Sequence, residues 1–165
     1  MKLRHYSSKP IGELYDKSQE NLRARFFKPL GLWLSVEIDN PDEDWMDWRK
    51  WCQSEEFGIG SMLYEVQLQE DANVLRIDNE SDFEKFSEEF KPGYEEIGEQ
   101  FWLKDGIDWL KVSEQYDGII IAPYFWEFRF TANWYYPWDC ASGSIWKVRA
   151  VKDIQLKTEN WEANA

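Results

Sequence analysis

The chain has 165 residues, 43% hydrophobic and 31% charged, the size and composition of one globular domain with its own core rather than of a disordered, fibrous or membrane-spanning chain. Its net charge of −13 is uneven: residues 1–30 carry seven Lys/Arg against three acids and residues 31–100 five against twenty, so the acidic middle repels phosphate backbones and disfavours nonspecific nucleic-acid binding. A single histidine, with Cys52 and Cys140 far from any second ligand at metal spacing, argues against a metal site.

The start, Met1-Lys2-Leu3-Arg4-His5, lacks the apolar stretch of a signal peptide, and no apolar run is long enough to span a bilayer, so a cytoplasmic location and no membrane partner are expected. Leu3 to Ser7 reads as a first strand, broken before Pro10. Leu30 to Val36 is a near-continuous apolar run, the pattern of a central strand covered on both faces. After the acidic turn Asp39-Asn40-Pro41-Asp42, residues Trp45, Trp48 and Cys52 recur at helical spacing. Ser61 to Leu68 alternates as a third strand, and Val74 to Ile77 is a fourth. Ser81 and Glu84 form a capping-box pattern ahead of Phe83, Phe86 and Phe90, which line one face of an amphipathic helix. A further helix is expected over Ile107 to Glu114, then a Tyr116-Asp117-Gly118 turn into the buried strand Ile119 to Ala122. Tyr124 to Trp138 has no clean period and reads as a loop or short helix over a pocket; strands follow near Ser144–Val148 and Ile154–Leu156. The sum is a single α+β domain spanning 1–165, a mostly antiparallel sheet with two to three helices.

Most of the eleven tryptophans must be core or rim. The densest cluster, Trp134-Tyr135-Tyr136-Pro137-Trp138, suits packing first, with a protein-binding hot spot, a sugar platform or a pocket lid as other uses. Both cysteines sit beside tryptophans and read as small buried fillers rather than reactive thiols.

Three pieces occur in order: His5 on the first strand, Gly31-Leu32-Trp33-Leu34-Ser35 on the second with an aromatic helix after it, and the late strand following Tyr116-Asp117-Gly118. This order resembles the ADP-ribosyltransferase fold, in particular its diphtheria-toxin and poly(ADP-ribose) polymerase branch, whose first strand carries a His and whose second reads Gly-x-Tyr-Phe-Ala/Ser. The resemblance implies NAD as substrate, cleaved between nicotinamide and ribose through an oxocarbenium-like transition state, and an acceptor of open kind, a protein among the candidates. By the same resemblance His5 hydrogen-bonds a ribose hydroxyl near the adenine side, Ser35 binds the nicotinamide end, and Trp33 stands in the tyrosine's place. The family's later tyrosine falls nearest Trp45 or Trp48, and Trp33 with Trp48 would sandwich the nicotinamide ring. Tyr6, Ser7, Gly31 and Leu32 complete the implied NAD-binding stretches, with Ser7 where the family often has Gly.

The family's catalytic Glu opens a late strand, whereas this stretch reads Asp139-Cys140-Ala141-Ser142-Gly143-Ser144-Ile145-Trp146. Asp139 and Glu127 are therefore the candidate catalytic carboxylates; if neither reaches the cleft, a domain that binds NAD without turnover is implied. The charge pattern supports another class of function, a non-catalytic acidic interaction module or inhibitor that covers a basic partner surface. A carbohydrate-binding domain has aromatic abundance alone behind it.

Overall fold

The computed structural model describes residues 1–21, 25–39 and 44–158. Asn40, Pro41 and Asp42 of the expected acidic turn, and Trp161, lie outside the described residues. Strands β1 (Lys2–Ser7), β2 (Leu32–Glu37), β3 (Met62–Leu68), β4 (Val74–Ile77), β5 (Gly118–Ile121), β6 (Ser142–Ile145) and β7 (Val151–Thr158) form one sheet in the order β4-β5-β6-β2-β1-β3-β7. The α+β class holds, and the sheet is mixed: β4 and β5 run parallel while the other neighbouring pairs run antiparallel.

Four α-helices are described, where two to three were expected: α1 (Trp48–Ser54), α2 (Glu80–Glu89), α3 (Tyr94–Ile97) and α4 (Trp109–Gln115). Side-chain caps account for several shifted boundaries. Asp47 accepts from the Lys50 amide at 2.9 Å and starts α1 at Trp48, leaving Trp45 outside the helix. Asn79 accepts from the Asp82 amide at 2.9 Å, so α2 begins before the expected Ser81 box. Leu30 does not open β2, because both its backbone groups are taken by the buried Gln19 amide, at 2.9 and 2.7 Å. The expected Ser144–Val148 strand begins earlier and gives way to a 3₁₀ turn at Val148–Ala150, after which β7 runs longer than Ile154–Leu156.

One sheet face buries Ile77, Ile119 and Ile121 under Phe83 and Phe86 of α2, its C-cap Phe90, and Trp109 and Val112 of α4. The aromatic segment after β5 closes this core: Trp134, Tyr135 and Trp138 are buried, and Phe83 lies between Phe128 at 4.3 Å and Trp134 at 5.0 Å, both near-parallel. Packing is thus what most of the Trp134–Trp138 cluster does. The opposite face packs Leu34, Val66, Ile145 and Ala150. Among the described residues no helix is long and apolar enough to cross a membrane.

A candidate ligand groove where the central strands part

β1 and β2 pair at Lys2↔Glu37, Leu3↔Val36 and Arg4↔Ser35. Beyond that point β1 continues against β3 as far as Ser7↔Met62, and β2 continues against β6 as far as Leu32↔Ile145. The two central strands therefore splay, and the Trp33 carbonyl loses its ladder partner. His5 supplies the replacement: its Nδ1 lies 2.7 Å from that carbonyl, which fixes the proton on Nδ1 and leaves Nε2 as an acceptor. Burial pulls the His5 pKa below 6.5, with the bond to Trp33 opposing in part, so the imidazole is neutral near pH 7.

The splay opens a groove of about 200 Å³. Arg4, His5 and Tyr6 line it from β1, Trp33, Leu34 and Ser35 from β2, Trp48 from α1, Asp139 and Cys140 from the approach to β6, and Ser142 from that strand's first position. Of the residues expected at a site, His5, Tyr6, Trp33, Ser35, Trp48 and Asp139 are thus brought together from four separate stretches of chain. Both indoles reach the groove backed by packing. Trp33 meets Trp138 edge-on at 4.9 Å, and Trp48 stacks on Trp51 at 5.0 Å and 14°. Lys28, half-buried in the same lining, donates to the Pro137 carbonyl at 2.8 Å and rests 4.2 Å from the Trp33 ring centre. Burial lowers the Lys28 pKa, against the pull of Asp139.

Ser35 is buried, and its hydroxyl is already engaged: it accepts from the Trp48 amide at 3.1 Å and lies 3.4 Å from Glu37 Oε1. Asp139 is held by Arg129 at 3.3 Å. Cys140 is buried and its thiol is pushed well above its ordinary range by desolvation, so it is not an activated nucleophile; Cys52 is likewise buried, on α1.

The other expected site residues lie elsewhere. Glu127 is exposed on the turn Trp126–Phe128 beside Glu80, whose pKa it raises through a hydrogen bond and like charge, and it does not line the groove. Trp45 donates its indole N–H to the Val36 carbonyl at 3.1 Å and packs against the cluster of Val36 and Ile120, away from the groove lining. Gly31 and Leu32 line a different depression of about 190 Å³ beneath residues 11–15, and Gly31 approaches β6 so closely that a Cβ would stand 2.7 Å from the Ile145 carbonyl oxygen. Ser7 turns to the Lys9 carbonyl, at 2.5 Å.

Sequence reasoning missed Arg4, Lys28 and Glu37. Strand alternation held the signal for two of them, since it puts Arg4 beside Tyr6 on β1 and Glu37 beside Ser35 on β2, on one sheet face. Lys28, before β2, had no periodic signal. No group of three His, Cys, Asp or Glu that could hold a metal gathers among the described residues. Comparison with known family models, curated proteins and solved structures returns no match for this chain.

Proposed function

We propose that this chain is an ADP-ribosyltransferase-like protein that holds the nicotinamide end of NAD in the groove between the parted strands. What supports the reading is that His5, Trp33, Ser35, Trp48 and Asp139, singled out by the resemblance, line the same small cleft. Its volume of about 200 Å³ is below the roughly 300–1,000 Å³ of sites that engulf a whole drug-sized ligand, which suits one end of a longer molecule whose remainder lies across the surface.

NAD supplies a bond between nicotinamide and ribose that breaks with the electron pair leaving on nicotinamide, while an acceptor nucleophile bonds to the ribose carbon and gives up its proton. The neutral His5 accepts a ribose hydroxyl proton at Nε2 in a hydrogen bond that orients the sugar. Trp48 and Trp33 offer flat apolar surface to the ring. Ser35 acts through the Trp48 backbone, fixing the wall rather than meeting the ring with a free hydroxyl. Asp139, which lines the groove and pairs with Arg129, is on this reading the carboxylate that polarises a hydroxyl or takes the acceptor's proton.

The test is a titration of tryptophan emission with NAD, combined with transfer of labelled ADP-ribose from NAD to cell-extract protein. Saturable quenching is expected, weakened about tenfold by His5→Ala or Trp48→Ala, with transfer lost in Asp139→Asn. No quenching by NAD would overturn the proposal. Salt-dependent binding to a basic protein in its place would establish the acidic interaction module.

A further inference from the structure

Glu37 ends β2, is 3% exposed, and gathers groove side chains from both central strands. Tyr6 Oη donates to it at 2.5 Å, Arg4 Nη1 at 2.6 Å, and Ser35 Oγ lies 3.4 Å away. Ser35 Oγ accepts in turn from the Trp48 amide at 3.1 Å. A continuous run of hydrogen bonds thus crosses from β1 through β2 to the first turn of α1, three sides of the groove. Each of these bonds of Glu37 leads to a residue lining the cleft. A buried carboxylate is a costly way to gain stability alone, because desolvation offsets much of its attraction to a partner and an apolar residue of similar volume often serves as well. Its partners feel it: burial and the Glu37 bond together push the Tyr6 hydroxyl far above its ordinary range, and Glu37 holds Arg4 up against its own desolvation.

We infer that Glu37 is the positioning residue of the groove, fixing the β1 wall through Arg4 and Tyr6 against the α1 wall through Ser35 and Trp48. Only the ligand arm of its test rests on the NAD reading. The full chain is labelled with 5-fluorotryptophan, and its ¹⁹F resonances for Trp48 and the buried Trp109 are assigned with Trp48→Phe and Trp109→Phe. In ligand-free protein, Glu37→Gln is expected to shift the Trp48 resonance and leave Trp109 in place, with Glu37→Asp, which keeps the charge, returning Trp48 part of the way. NAD affinity of Glu37→Gln should fall about tenfold, the size of one displaced hydrogen bond or ring contact. A folded Glu37→Gln with an unmoved Trp48 resonance, or one in which Trp48 and Trp109 shift alike, overturns the inference. Should Glu37→Gln fail to fold, Ser35→Ala cuts the same run at its middle with Glu37 retained, and an unmoved Trp48 there overturns it equally. If wild-type protein ignores NAD, the proposed function fails, while the ligand-free spectra still decide the role of Glu37.

Discussion

The His5 imidazole commits its Nδ1–H to the Trp33 carbonyl, and burial keeps its pKa below 6.5. A hydroxyl can donate to Nε2 only while that nitrogen is unprotonated. NAD affinity is therefore expected to be level above pH 6.5 and to fall in acid as pH passes through the lowered pKa, and His5→Gln should be weaker throughout without that acid limb. The sign for stability follows from the same shift. A folded-state pKa below the unfolded one contributes stability that is present above pH 6.5 and lost as pH falls through the folded value. Affinity and urea unfolding measured between pH 4.5 and 8 check both.

Among the elements, α4 shows how a helix start can hinge on one buried charge. Asp108 is fully buried, caps α4 through the Lys111 amide, and takes a two-pronged bond from Arg25 at 2.9 and 3.0 Å. Burial alone would raise its carboxyl, but Arg25 brings it below the ordinary range, so its stabilisation is present above the unfolded pKa and lost as pH falls through the folded one. Asp108→Asn keeps a capping oxygen and leaves Arg25 with the more distant, partly exposed Glu96 at 3.4 Å in place of its buried two-pronged partner. It should cost roughly 3 kcal/mol in urea unfolding at pH 7 and flatten the acid limb of stability. Nothing in the local pattern links Asp108 with Arg25, eighty-three residues away, which is why this anchor was illegible in the sequence. The phenylalanine stripe of α2 was legible because period and burial coincide there, and so were β4 and the apolar run of β5. The short α3 and the 3₁₀ turns were not, since so few residues carry no period. In the groove, Trp33 and Ser35 could be placed on β2 from its apolar run, but Trp45 could not be told from Trp48 before the Asp47 cap set where α1 begins.

At the scale of the whole molecule, the sheet consists of two ribbons, β4-β5-β6-β2 and β1-β3-β7, fastened together at one end. Such a seam is strong against sliding, because its three residue pairs share a shearing load, and weak against peeling, because a load at the open end falls on Arg4↔Ser35 before the others. Amide deuterium uptake should reveal the gradient: the β1–β2 bonds nearest the fork should exchange faster than those joining β5 to β6, although both lie inside the sheet. A mouth hinged in this way can widen by a small angle while every other strand keeps its neighbour. On the proposed reading, admission of a guest would load the one layer that crosses this seam, where Leu34 and Ile145 of one ribbon pack with Val66 of the other, and spare the core of Ile77, Ile119 and Ile121.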